Sequence, residues 1–390
     1  MRCVNRPVKG IVQRVFQDHY AAYRRTHALS RRERWAARQI ATCRTPAQGY
    51  HVWACPNDDY RVEQRNSCKH RSCPLCGAAE TERCVQRQWA RLLPCRYHQL
   101  VFTIPHDLHP LWQWNRTAFT NLLFQAAWES LRTFARDPRW LGAEPGALAV
   151  FQSWGETLNT HVHLHVVLTA GGLTPTGHWQ AAPHNFLFPA RALSVKFRGR
   201  FRADLLAALE DPTWARPPGT DATHWRQTLN RLGRQRWNVR IEPAYAHARG
   251  LILYLARYLR RGPIAEARVA AYDGRHLRIA YKRPAEHAGA TFQLGAPEFI
   301  RRVLEHAPVK GQRVVRAYGL FHHRRRDQLE AARGQCPEAP APEASVAVAG
   351  RGADAAAGHR DGPVCPHCQT PLVVVLRYYP ARDAPEGIAA

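Results

Sequence analysis

The sequence contains no run of the roughly 18 to 20 uninterrupted apolar residues that a membrane-spanning helix needs, and its basic start is not followed by the apolar stretch of a secretory signal. A membrane or secreted protein is therefore not expected, and the chain reads as cytosolic. Acidic residues are scarce: 30 Asp and Glu stand against 56 Lys and Arg, for a formal net charge of +26 and a pI near 10.4. Such an excess favours a polyanionic partner, because each phosphate neutralised releases condensed counterions, and nucleic acid is the commonest such partner. Lysine is nearly missing from the excess, which arginine carries. Arginine- and alanine-rich usage also reflects genomic bias, so charge points to nucleic acid without establishing it. A disulfide framework has no place in a reducing compartment, and the 11 cysteines read as reduced thiols and metal ligands. There is no internal repeat, and no H-E-x-x-H pair to supply a zinc hydrolase with its general base.

What is present is enough for two or three domains: 390 residues, 45% hydrophobic, with 12 Trp, 13 Tyr and 13 Phe. Residues 1–95 are basic and rich in cysteine, opening with helical text over 11–23 and 30–41. From residue 97 the pattern changes to short apolar runs that predict strands over 97–104, 147–154, 161–169 and 237–241. Helical spacing marks 112–135 and 192–209, and a helix is expected to start over 251–259. Residues 337–363 are Ala, Pro and Gly with scattered charges, which predicts a linker. The expected division is a zinc- and DNA-binding domain over 1–95, a catalytic domain over 96–330, a flexible linker over 331–363, and a tail over 364–390 carrying a Cys-x2-Cys knuckle.

Three groups of residues carry chemistry. Inside an apolar run, His161, His163 and His165 alternate with Val162 and Leu164. Strand alternation puts the three imidazoles on one face, where a divalent cation can sit between neighbours. A solvent-facing, histidine-rich strand is the plain alternative. Tyr254 and Tyr258 stand four apart in helical text, so both phenols face one way. Such a pair is ordinarily aromatic packing, yet a phenol can also attack phosphorus and conserve the phosphodiester energy in a phosphotyrosyl bond. Its weight comes from the histidines in the same domain. Third, Cys55, Cys68, His70, Cys73 and Cys76 crowd a short span, with Cys43 and His51 upstream. Cys73 and Cys76 have the C-x2-C spacing that wraps tetrahedral Zn²⁺. A zinc ribbon wants a second such pair at Cys55, but Asp58 breaks it, so Cys55, Cys68, Cys73 and Cys76 are the expected ligands, with His70 in reserve. Cys365-Pro366-His367-Cys368 is half of another site, for which Cys336 and His359 are candidate partners.

In order and spacing, these blocks resemble the two-tyrosine HUH transposases of rolling-circle insertion sequences, the IS-ninety-one-like family, over most of the chain to about residue 330. The matching pieces are Ser67-Cys68-Lys69-His70-Arg71-Ser72-Cys73-Pro74-Leu75-Cys76, Val101-Phe102-Thr103-Ile104-Pro105, the histidine strand through Gly171-Gly172, and Phe186-Leu187-Phe188-Pro189 before Leu193-Ser194. Phe197-Arg198-Gly199, Tyr254-Leu255-Ala256-Arg257-Tyr258 and Phe299-Ile300-Arg301-Arg302 complete the set. The chain departs from the family at Asp58, where a cysteine is usual, and at Gln152, where a histidine often stands. The resemblance implies an α+β fold, an HUH-type antiparallel sheet with flanking helices behind a small zinc-binding domain. It implies His163 and His165 as the metal pair, with Gln152 as third ligand and His161 and Glu156 behind it. It also implies Mg²⁺ or Mn²⁺ for catalysis, structural Zn²⁺, Tyr254 and Tyr258 as nucleophiles, and Arg257 and Arg71 as DNA contacts. The partner is then single-stranded DNA at transposon ends, in a bacterial cytoplasm near the nucleoid. The implied reaction nicks and transfers DNA through a 5′-phosphotyrosine. A rolling-circle replication initiator or relaxase shares that chemistry, and a zinc-dependent DNA-binding protein without catalysis is the non-enzyme alternative.

Overall fold

The computed structural model describes residues 10–76, 91–183, 187–245, 262–282, 289–336 and 363–380, with the backbone of Arg2 and Cys3. These residues fall into two compact units, one drawn from Met1–Glu80, Arg261–Ala307 and Ser345–Ala390, the other from Thr81–Arg260 and Pro308–Ala344. With strands numbered along the chain, the first unit holds β1 (Arg2–Cys3), β2 (Tyr50–Ala54), β3 (Arg61–Arg65), β9 (Val269–Tyr272), β10 (His276–Lys282), β11 (Gly289–Gly295) and β13 (Val373–Tyr378). The second holds β4 (Tyr97–Thr103), β5 (Glu144–Trp154), β6 (Thr160–Leu173), β7 (Trp179–Ala181), β8 (Val239–Ile241) and β12 (Val315–Gly319). The result is the expected α+β class, with mainly antiparallel sheets and flanking helices.

The first unit opens with helices Ile11–Thr26 and Arg31–Thr42. Ser30 starts the second of these with a capping box, in which the Glu33 carboxylate accepts from the Ser30 backbone N–H at 2.8 Å. Across the pair, the buried amide of Gln13 donates to the carbonyls of Ala41 at 3.1 Å and Cys43 at 2.7 Å, which pins the chain where the first cysteine leaves the helix. A four-stranded sheet follows in the order β1-β3-β2-β13, its last strand supplied from beyond residue 370. A separate three-stranded meander, β11-β10-β9, leads into helix Ala296–Glu305, whose Phe299, Ile300, Val303 and Leu304 are buried. The unit is thus discontinuous, whereas the sequence reading placed its domains one after another.

The second unit is built on one sheet ordered β12-β5-β6-β4-β8, with every neighbour antiparallel and β6 in the middle. Alternation sorts β6 onto two faces. Val162, Leu164, Val166 and Leu168 pack with Leu100, Phe102, Ala149 and Phe151 against Phe119, Leu123, Phe197 and Phe201 of helices Arg116–Arg136 and Ala190–Ala208. Each Val, Leu or Phe among them stabilises the fold by roughly 1.5–3 kcal/mol. The opposite face carries the histidines at one end. At the other, Tyr97, Leu148, Val150 and Val167 are covered by Leu320, Phe321 and the helix Arg326–Gln335.

The paired glycines in β6 are required by close approach. A Cβ on Gly172 would lie 2.5 Å from the Glu144 carbonyl oxygen, and one on Gly171 would lie 2.4 Å from the Trp179 ring. The expected helix over 112–135 is two helices, because Asn115 leaves helical geometry to exchange hydrogen bonds with the backbone of Ala215, at 2.7 and 2.9 Å. The strand expected over 237–241 begins only at Val239, since Trp237 turns into the core and its indole N–H donates to the Leu232 carbonyl. The expected helix over 251–259 and residues 337–362 of the expected linker lie outside the described residues.

Candidate functional site

On the polar face of β6, His163 pairs directly with Gln152 of β5 and with Thr103 of β4, while His165 pairs with Val150 and Val101. Directly paired residues share a face, so the register itself brings the amide of Gln152 to the two imidazoles. His163 Nε2 lies 3.1 Å from His165 Nε2, which lies 3.2 Å from Gln152 Oε1. All three side chains are buried, and Gln152 Nε2 has no hydrogen-bond partner among the described residues.

The donor set fits a divalent cation. Adjacent ligands of an octahedral ion at 2.0–2.1 Å stand about 3.0 Å apart, close to the spacings found here. Protonation agrees as well. His163 Nδ1 lies 2.8 Å from the His161 carbonyl, which only accepts, so that nitrogen carries the proton and Nε2 presents its lone pair. Gln99 of β4, on the same face, places its amide 3.4 Å from His165 Nδ1. The near atom of that amide is its nitrogen, which donates and leaves the ring proton on Nε2; exchanging the amide's nitrogen and oxygen puts the carbonyl at Nδ1 and frees the Nε2 lone pair. Burial holds both rings neutral: it pushes His163 well below the usual imidazole range, helped by His165, and His165 down to about 4, helped by His161.

His161 does not join the three converging atoms. Its ring lies tilted, 4.9 Å from that of His163 and 5.9 Å from that of His106, whose ring lies 4.7 Å from that of His109. Glu156 sits on the exposed turn after β5. Gln99, His106 and His109 were not singled out from sequence. The one available signal was Gln99 as a polar residue alternating within an apolar strand. Tyr254, Arg257 and Tyr258 lie outside the described residues.

In the first unit, four thiols converge: Cys43, Cys68, Cys73 and Cys76, all within 4.8 Å of one another. Cys76 Sγ lies 3.3 Å from Cys43 Sγ and 3.6 Å from Cys68 Sγ, against about 3.8 Å for thiolates around tetrahedral zinc with Zn–S bonds near 2.3 Å. Hydrogen bonds from Cys43, Cys68 and Cys73 push the Cys76 thiol far down, towards the thiolate form that binds zinc. The backbone is shaped around the sulfurs. Arg44 after Cys43 and Lys69 after Cys68 adopt positive φ of 55° and 53°, and the His70 N–H points at Cys68 Sγ. Cys43 therefore stands where the sequence reading had put Cys55, because the Gln13 contact holds residue 43 while β2 carries residue 55 away.

Cys55 instead meets Cys365 and Cys368. Cys336, expected near the C-terminal knuckle, shares a hydrogen bond with Cys95 in the other unit, and His359 lies outside the described residues. Arg71 sits half-buried in the turn between Cys68 and Cys73. His70 packs edge-on against Trp35, with its Nε2 buried and lacking a partner among the described residues.

This chain thus joins a polar histidine face on a five-strand antiparallel sheet path to a thiol cluster suited to zinc. Residues 15–104 match a transposase zinc-binding domain, and residues 146–328 match the Y2-type family described as "Putative transposase". The chain belongs to the transposases that combine these two domains, those of the IS91 and IS801 kind. It is 34% identical over 322 residues to "Putative transposase y4qJ" of Sinorhizobium fredii strain NGR234, covering 80% of this chain and 81% of that protein. It is 31% identical over 275 residues to the transposase for insertion sequence element IS801 of Pseudomonas savastanoi pv. phaseolicola, covering 70% of this chain and 64% of that one. No solved structure matches the chain. DNA is the partner that a transposase requires, and among the described residues no helix is long and apolar enough to cross a membrane.

Proposed function

We propose that this transposase nicks and transfers single-stranded DNA at transposon ends through a 5′-phosphotyrosine, in rolling-circle transposition. The observation that carries the reading is the meeting of Gln152, His163 and His165 through three neutral donor atoms on the central strand. A Mg²⁺ or Mn²⁺ ion held by these residues would polarise the scissile phosphate and offset the charge that develops on it.

The chain's own part is to keep the imidazoles neutral, to fix the His163 lone pair through the His161 carbonyl, to set the His165 tautomer through the Gln99 amide, and to supply the nucleophile. Tyr254 or Tyr258 attacks phosphorus through its phenolate oxygen. A P–O(Tyr) bond forms as the P–O3′ bond breaks, and the departing 3′ oxygen takes up a proton. Attack by a 3′-OH on the phosphotyrosine reverses these changes and rejoins DNA without ATP, and the second tyrosine can hold a second end meanwhile. Zinc in the first unit serves architecture and DNA grip, with Arg71 and Arg257 as phosphate contacts.

The test is incubation with single-stranded transposon-end DNA and Mn²⁺ or Mg²⁺, followed by denaturing electrophoresis and mass spectrometry of the adduct. The expected result is a nucleotide on the peptide containing Tyr254 and Tyr258. It should be lost in the Tyr254→Phe/Tyr258→Phe double variant and reduced at least ~10²-fold in His163→Ala, with salt-sensitive DNA binding kept in both. An adduct on another residue sinks the nucleophile assignment, and wild-type cleavage by His163→Ala sinks the metal assignment.

A further inference from the structure

We propose that Cys55, Asp58, Cys365 and Cys368 form a second zinc site, which fastens the segment 363–380 to the N-terminal module. Cys365 and Cys368 lie beyond both family matches, which end at residues 104 and 328.

The sulfurs of Cys55, Cys365 and Cys368 lie within 4.8 Å of one another, with Cys55 and Cys368 3.4 Å apart. The Asp58 carboxylate lies 3.9 Å from Cys365 Sγ. Around tetrahedral zinc, with Zn–S near 2.3 Å and Zn–O near 2.0 Å, thiolates stand about 3.8 Å apart and a thiolate and a carboxylate oxygen about 3.5 Å. Asp58 follows Cys55 at the i+3 spacing of a knuckle, so the residue that breaks the C-x2-C pattern supplies an oxygen where a sulfur would stand. His367 Nδ1 lies 2.5 Å from the same carboxylate and orients it.

The backbone repeats the signatures of the Cys43 cluster. The Asn57 N–H points at Cys55 Sγ at 3.4 Å, as the His70 N–H does at Cys68 Sγ at 3.5 Å. Gln369, directly after Cys368, has φ of 60°, matching Arg44 and Lys69 after their cysteines. A tight turn closes the knuckle, with Cys365 N–H donating to the Thr370 carbonyl and Gln369 N–H to the Cys365 carbonyl.

Energetics point the same way. β13 pairs with β2, yet Val373, Val375 and Leu376 remain 49%, 54% and 50% exposed, so apolar burial anchors this strand weakly. The buried cluster beneath it is small: Cys55, Val62, Cys365 and Leu372, with Trp53 and Tyr60 beside it. A metal closing the knuckle supplies the missing anchorage, as in other small domains with little core.

Elemental analysis of the purified full chain, after dialysis against a weak chelator, tests the site. The wild type should hold two zinc ions per chain and Cys365→Ser/Cys368→Ser one. Asp58→Cys, which completes a four-sulfur set, should keep two, and Asp58→Ala should fall towards one. Cys73→Ser/Cys76→Ser should lose the other ion and keep this one, which separates the two sites. A wild type holding a single zinc that survives Cys365→Ser/Cys368→Ser and disappears in Cys73→Ser/Cys76→Ser overturns the proposal and leaves the Cys43 cluster standing. Two ions retained in Cys365→Ser/Cys368→Ser also overturn it.

Discussion

At the scale of single residues, the histidine face depends on which nitrogen of each ring carries a proton. Gln99 is a positioning residue in this respect: it touches His165 Nδ1 and decides whether Nε2 is a donor or a lone pair. Gln99→Leu should therefore weaken Mn²⁺ binding by about 10- to 100-fold, as loss of a partner behind a ligand does, while leaving the apolar face of β4 intact. Titration calorimetry with Mn²⁺ checks this, and an unchanged affinity would remove Gln99 from the site. The same rings set a pH dependence in metal-free protein. His165 is held at about 4 when folded, against about 6.5 when unfolded, chiefly by burial. Above pH about 6.5 the ring is neutral in both states. Between about 6.5 and about 4 the unfolded chain takes up a proton that the folded chain refuses, so stability falls as pH falls across that window and this contribution levels off below it. The loss amounts to at most roughly 3 kcal/mol, and His163 acts in the same direction. Urea unfolding in chelator at pH about 7 and about 5 measures it; a flat response would mean that the rings are solvated.

The secondary-structure elements show how local pattern becomes a site. β6 was legible because alternation of His with Val and Leu has one meaning in a strand, and Pro105 marked the end of the neighbouring run. The glycine pair closing the histidine block is a packing requirement, with β5 on one side and β7 on the other. Gly172→Ala should destabilise the second unit by roughly 1–3 kcal/mol, since the atom it would strike is a backbone carbonyl that cannot swing aside. Chemical denaturation reads this directly, and a shift within error would show that β5 yields. Elements of the first unit were harder to see. β2, β3, β9, β10 and β13 are short or carry charges on exposed positions, and none is evident from sequence, because each buries at most two of its described side chains, too few to set an apolar pattern apart.

For the whole molecule, each unit has its own source of stability. The second has a large apolar core on one face of its sheet; the first buries Val12, Phe16, Ile40, Ile279, Phe299 and Ile300 and adds clusters of thiols to that core. Stripping zinc with a strong chelator should therefore destabilise the first unit and leave the second unchanged, because thiolate–zinc bonding of about 10–16 kcal/mol contributes to the folding of the unit that holds the metal. Calorimetry should show one transition lost or lowered and the other unmoved; joint loss of both would contradict this division. Some of this was written in the sequence alone. Alternation placed the histidines on one face, Cys73 and Cys76 carried a metal-binding spacing, and the order of short blocks pointed to a transposase. These are properties of nearest neighbours along a chain, where backbone geometry leaves few choices. Partnership between distant segments was decided only by the tertiary structure. Gln99 and Gln152 reach His165 through strand register, Cys43 joins Cys68, Cys73 and Cys76 because Gln13 holds it there, and Cys55 meets Cys368 across 313 residues through the pairing of β2 with β13. Spacing along a chain says nothing about contacts of that length, because they are set by which faces and edges find burial and hydrogen bonds together.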